Sequence, residues 1–257
     1  MDSALLVLGF LIGLISGVIS GAFGIGASSV KIVLMRVLLG ISGSVAIATA
    51  LPLSIPAAIS GTVVYHKHKL IKYKTVLVAG ITGAIFSVIG ALATEQVSDE
   101  FLMTTMAVVL VFFAIMILWG RKEKGKKFPP QTLQEKAFYT TLIGAVAGFA
   151  SGFLGIGGGV VLVPLLARLR HISYKRAIPC SLAIMLIYIV PAAITHFGLG
   201  NVDLSLFVVL FSGSAIGAWI GAQNIVKMGE AEIRKWFAIT LLFFGLLLLL
   251  NELGLLP

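Results

Sequence analysis

Lys31 stands in an otherwise apolar stretch, Ile25-Gly-Ala-Ser-Ser-Val-Lys-Ile-Val-Leu-Met35. An ammonium among apolar residues costs several kcal/mol unless it faces a partner or a cavity, so its first reading is functional. The other reading is a side chain that snorkels to a nearby interface. Just before it lies Gly24-Ile25-Gly26, and far along the chain lies Gly155-Ile-Gly-Gly-Gly159. Each glycine costs about 1 kcal/mol in a helix interior, so runs this dense are expected to break the helix. A break leaves free backbone N–H groups at the start of the next helix, and with the helix dipole these suit an anion. A plain surface turn is the bland alternative. The candidate binding residues are therefore Gly24, Gly26, Ser28, Ser29, Lys31, Gly155, Gly157, Gly158 and Gly159.

A second group surrounds prolines in apolar segments. Pro52, Pro56 and Pro191 are expected to interrupt their helices, with Pro56 and Pro191 as gating positions. Thr49, Cys180 and Ser181 precede these kinks and either line a pathway or bond to their own helix. His196 ends its segment and reads as an interfacial histidine, or one that senses pH or touches substrate.

All ten Asp and Glu residues fall in loops or at segment ends. That pattern disfavours cation transport and a carboxylate proton relay. It leaves an intramembrane hydrolase without paired carboxylates, and no GxSxG is present. An enzyme is not expected, nor is any metal or cofactor.

The elements that position these residues follow from composition. Of 257 residues, 59% are hydrophobic and only 11% charged, and the mean hydropathy is +1.09. A crossing of the bilayer core takes about 20 apolar residues, and the chain holds many such runs. The expected fold is all-α, a polytopic transmembrane helical bundle. The first run, Ala4 to Ile25, has no basic segment before it and reads as a retained span. The net charge of +9 sits in loops between apolar runs, so topology accounts for it and nucleic acid is not an expected partner.

The chain repeats itself. Ser20-Gly-Ala-Phe-Gly-Ile-Gly-Ala27 matches Ser151-Gly-Phe-Leu-Gly-Ile-Gly-Gly158, Pro56-Ala-Ala-Ile59 matches Pro191-Ala-Ala-Ile194, and Phe112-Phe113 matches Phe243-Phe244. Residues 1–120 form one repeat, 121–136 a basic linker and 137–257 the second. Each repeat has about five segments: 4–25, 27–39, 45–65, 75–94 and 101–119, then 137–156, 159–168, 177–196, 204–225 and 236–250. The second segment of each is too short for a full crossing. Gly13, Gly17 and Gly21, with Gly144, Gly148 and Gly152, mark one helix face each and point to close helix packing.

An odd number of segments inverts one half relative to the other. Loop charge agrees: His66 to Lys74 is strongly basic while its counterpart Phe197 to Asp203 has no Lys or Arg. The loop carrying Arg168, Arg170, Lys175 and Arg176 has an uncharged counterpart, Leu38 to Ser44. The positive-inside rule places linker 121–136 in the cytoplasm and both termini outside. The protein is expected in the cell membrane. Its partners are the lipid bilayer and a small anion, with a homo-oligomer left open.

The run Gly148-Phe-Ala-Ser-Gly-Phe-Leu-Gly-Ile-Gly-Gly-Gly-Val-Val-Leu-Val-Pro-Leu-Leu166, with its degenerate partner Gly17 to Leu34, resembles the TauE/SafE sulfite exporters, also called the TSUP family. The resemblance covers nearly the whole chain. It implies a secondary transporter for sulfite, a sulfonate or a related organosulfur anion. A passive anion channel is the alternative. The first half departs from the pattern, with Gly26-Ala-Ser-Ser29 for the glycine run, Val33 for Pro164 and Lys31 for Leu162.

Overall fold

The computed structural model describes residues 3–119, 131–200 and 204–255. Residues 121–130, most of the linker, lie outside the described residues. Eleven helices fill them: α1 (Ser3–Phe23), α2 (Ala27–Leu39), α3 (Gly43–Ala50), α4 (Ser54–Lys67), α5 (Tyr73–Thr94), α6 (Asp99–Trp119), α7 (Leu133–Leu154), α8 (Gly159–Leu169), α9 (Tyr174–Gly198), α10 (Leu204–Ile225) and α11 (Glu230–Glu252). Six stretches among them are long and apolar enough to cross a membrane: Gly43–Lys67, taking α3 and α4 together, and α5, α6, α7, α9 and α11. The protein is an all-α, multi-pass membrane bundle.

Helix α5 shows how sequence assigns the faces. Leu77, Ile81, Ile85 and Ile89 are exposed along one side, where lipid is their solvent. Ala79, Gly80, Gly83, Ser87 and Ala91 are buried on the other. Without a hydrophobic drive between helices in lipid, small residues that allow close approach hold the bundle together. A Cβ on Gly148 would lie 2.2 Å from Gly83 O, and one on Gly152 would lie 1.9 Å from Ser87 O. The α1–α10 seam is built alike: added Cβ atoms on Gly17 and Gly21 would lie 2.5 Å from Ser214 O and 2.1 Å from Ala218 O.

The glycine contacts also fix direction. Gly13, Gly17 and Gly21 meet Leu210, Ser214 and Ala218 in rising order, so α1 and α10 run parallel. Gly144, Gly148 and Gly152 meet Ala79, Gly83 and Ser87 in rising order, so α5 and α7 run parallel. Helix starts recur at a constant offset: Gly43 and Tyr174, Tyr73 and Leu204, Asp99 and Glu230 are each 131 positions apart.

The prolines interrupt the third segment of the first half as expected and leave that of the second half whole. The third segment of the first half is two helices, parted at Leu51–Leu53. Pro52 and Pro56 lie one helical turn apart, so in an unbroken helix two successive turns would lack an amide donor and the Pro56 ring would clash with the Pro52 carbonyl. Tight turns replace the helical bonds, from Ser54 N to Leu51 O and Ile55 N to Pro52 O. In the second half α9 runs unbroken through both Pro179 and Pro191, which lie far apart and each remove a single bond. Pro56 and Pro191 are also not equivalent, because their separation of 135 is one turn out of the common register. Helix α7 begins at Leu133, where Thr132 and Glu135 form a capping box on it.

Candidate functional site

The two glycine runs do break the chain. Helix α1 ends at Phe23 and α2 starts at Ala27, while α7 ends at Leu154 and α8 starts at Gly159. Gly24, Gly26, Gly155, Gly157 and Gly158 all take left-handed φ values, from 65° to 82°. Side-chain-bearing residues rarely adopt that region, which accounts for the glycines.

The breaks meet at the buried centre of the bundle. A Cβ on Gly26 would lie 3.1 Å from Gly157 Cα, and one on Gly159 would lie 1.7 Å from Gly24 O. Residues of α9 brace the junction. Ser181 Oγ donates to Gly24 O at 3.0 Å, and Tyr188 OH donates to Gly157 O at 2.9 Å. Met185 Sδ lies beside both Gly26 and Gly157. The junction is therefore made by both halves, with the second half's α9 holding the first half's break.

Ser28 and Ser29 open α2 and are buried. Ser29 Oγ bonds back to Gly26 O at 3.3 Å. Ser28 Oγ, facing Gly157, is buried without a hydrogen-bond partner. An unmatched buried hydroxyl is costly. Lys31 follows three residues later on the same face of α2.

Lys31 is fully buried and does not snorkel. Its Nζ donates to Leu53 O at 2.7 Å and to Ser214 Oγ at 2.7 Å. Leu53 O belongs to the gap between α3 and α4, so the proline break provides the acceptor. Ser214 Oγ also donates to Leu53 O, at 3.3 Å. Neither partner carries a negative charge, so the ammonium is solvated by neutral dipoles.

The remaining expected residues divide. Thr49 is buried in the last turn of α3, close in sequence to that gap. Cys180 turns away from the junction and accepts a hydrogen bond from the Lys72 amide at 3.3 Å. Pro56 sits in the first turn of α4, where its missing N–H costs little. Pro191 lies within α9, and its carbonyl accepts from Thr195 Oγ1 at 3.0 Å. His196 is fully buried rather than interfacial, and its Nε2 bonds Gly152 O at 2.9 Å.

Sequence reasoning missed Tyr65, Tyr188, Met185, Leu53 and Ser214. The repeat offset carried a signal for Tyr65, which lies 131 positions before His196. Nothing local flags Leu53, because it acts through its carbonyl.

Comparison with known proteins matches this sequence to a family. The family "Sulfite exporter TauE/SafE" matches residues 8–248. The Probable membrane transporter protein YunE of Bacillus subtilis is 27% identical, over 91% of this chain and 94% of that protein. The Probable membrane transporter protein YjnA of the same organism is 27% identical, over 93% of this chain and 98% of that protein. The Probable membrane transporter protein MJ0441 of Methanocaldococcus jannaschii is 24% identical, over 96% of both. With both glycine breaks and nearly every helix inside the matched span, this chain belongs to the TauE/SafE sulfite exporter family and is a membrane transporter.

Proposed function

We propose that this transporter is a secondary exporter of a small anion, with sulfite, a sulfonate or a related organosulfur anion as its cargo. The anion binds where the two glycine breaks meet. The observation that carries this reading is the buried junction itself, where an unpartnered Ser28 hydroxyl, the first amides of α2 and the Lys31 ammonium lie on one helix end. An anion there would receive N–H donors, a hydroxyl and a cation, with no carboxylate supplied by the residues around it.

The helix directions support two inverted repeats. Ser214 of α10 touches Leu53 at the start of α4, and Lys67 at the end of α4 stacks on Trp219 of α10 at 5.7 Å. Helix α4 therefore runs with α10 and α1, and the short turn after it sends α5, and with it α7, the opposite way. First helices pointing in opposite directions are what repeats 1–120 and 137–257 need for alternating access about a shared site. The turn after α4 is held to the first turns of α9 by the bond from Lys72 N to Cys180 Sγ, which brings the basic residues on either side of that contact to one end. That end, with linker 121–136, is read as cytoplasmic in the cell membrane, and both termini as external.

Reconstituted vesicles test the proposal. Saturable flux of sulfite or a small sulfonate, slowed by a competing anion, is the expected result. Vesicles carrying correctly folded protein that pass none of sulfite, sulfate, thiosulfate or simple sulfonates would overturn it.

A further inference from the structure

Tyr65 and His196 do the same job in the two halves with different chemistry. They are 131 positions apart, and each donates to a carbonyl of the first helix of its own half. Tyr65 OH bonds Gly21 O at 2.7 Å, and His196 Nε2 bonds Gly152 O at 2.9 Å. Gly21 and Gly152 are themselves 131 apart, in the last turns of α1 and α7. A helix that ends just beyond leaves such carbonyls without their own amide donors. One side chain from the third segment of each half thus caps the helix that leads into each glycine break.

A carbonyl only accepts, so His196 carries its proton on Nε2 and presents a lone pair on Nδ1. That Nδ1 is buried without a partner. The Tyr65 phenol has no basic nitrogen to protonate. Among the described residues, the elements around His196 supply one charged group near it, Glu95 in the turn after α5. Helix α7 offers the Gly152 carbonyl. The ionisable groups of α4 (Tyr65, His66, Lys67), α5 (Tyr73, Lys74), α8 (Arg168) and the start of α11 (Arg234, Lys235) belong to the opposite end of the bundle, and Glu252 of α11 is paired with Arg36.

We propose that His196 is the proton-binding site of the transport cycle. It is neutral in this closed conformation and protonated on Nδ1 when the Glu95 end of α9 opens to water. The proposal rests on the transporter reading and names its coupling ion. A proton from the aqueous phase adds to the Nδ1 lone pair, while Nε2–H stays on Gly152 O. The imidazolium then has a second donor, which has no acceptor in the closed arrangement. A buried donor without an acceptor is penalised, so the proton-bound form belongs to a conformation in which water or the Glu95 carboxylate accepts. Closure returns the proton, and opening and protonation bias each other.

Vesicle flux of ethanesulfonate tests this, because that anion keeps one charge between pH 5 and 8. In the wild type, a gradient of one pH unit should change the rate by roughly three- to tenfold, since one unit is a factor of ten in proton activity. His196→Gln and His196→Tyr, the latter restoring the bond Tyr65 makes, should keep anion binding by calorimetry and lose the gradient response. A wild-type rate indifferent to the gradient would overturn the proposal, as would a response retained in both variants. Absence of flux for every anion would instead sink the transporter reading. In that event nitrogen-15 NMR of the histidines in nanodiscs, with His196→Gln for assignment, still decides: a neutral Nε2–H form at pH 7 is expected, and an Nδ1–H form or an imidazolium there overturns it.

Discussion

Lys31 Nζ lies 2.7 Å from Leu53 O, so the buried cation of one helix is held by a carbonyl released at the break between two others. A lysine beside a helix N-terminus is normally unfavourable, because the dipole there is already positive. Here the break at Pro52 offsets that cost, and Ser214 of the other half adds a second acceptor. Charge, proline break and small-residue seam are thus one unit.

The substitution Lys31→Met should weaken binding of sulfite or a sulfonate by roughly tenfold or more, the scale of a charge-assisted contact of about 1.5–3 kcal/mol. Without ligand the variant should melt no lower than wild type by more than a few degrees. Removing a desolvated charge offsets the two lost hydrogen bonds, and Ser214 Oγ stays on Leu53 O. Calorimetry for affinity and a thermal melt of the apo protein check both halves of the statement. Unchanged affinity would make Lys31 a structural strut and leave the backbone donors to hold the anion alone.

Asp99 should prove structural. Its carboxylate accepts from Gly43 N at 3.0 Å and from Ser44 N at 2.8 Å, capping α3. Glu230, 131 positions later, accepts from Tyr174 N at 2.5 Å at the start of α9. Asp99→Ala should cost about 1 kcal/mol, the usual value of such a cap, and lower the melting temperature by a few degrees with anion affinity unchanged. A large loss of affinity would place Asp99 nearer the transport function than its capping role allows.

Much of this was legible before any coordinates. Glycine density placed both breaks within a residue or two, because residues with side chains rarely adopt those left-handed turns. The interior charge of Lys31 was equally visible. Its partners were not, because a backbone carbonyl has no sequence signature and Ser214 is 183 residues away. The Pro56–Pro191 match misled for a related reason. Four identical residues in an apolar chain recur easily, while the constant offset of helix starts is what a folded repeat preserves. His196 was misplaced because position along a segment does not say which face is covered, and α7 covers that one.

Inversion of the halves is open to direct labelling. In a Cys180→Ser background, Lys69→Cys follows the third segment of the first half and Asn201→Cys follows that of the second. An impermeant maleimide should reach Asn201→Cys from outside intact cells and Lys69→Cys only after permeabilisation. Labelling of both from the same side would refute the inverted repeat.

The contact between the two breaks gives the most demanding test. Gly159 has no left-handed constraint, so alanine there is penalised only by space. Its Cβ would lie 1.7 Å from Gly24 O and 2.6 Å from Ile25 C, both backbone atoms that cannot rotate away. The two halves must therefore separate at the junction. Overpacking of this kind costs typically 1–3 kcal/mol, and the same displacement should pull Ser28 away from Gly157. Gly159→Ala is accordingly expected to insert and fold with a lowered melting temperature and to lose at least about tenfold in anion affinity, a change of about 1.4 kcal/mol. Gly198→Ala is the control, because a Cβ there meets nothing within 4 Å; it should match wild type in both measurements. If Gly159→Ala melts lower yet binds the anion as wild type does, the junction holds the bundle together without holding the cargo, and the site must be sought elsewhere along α2.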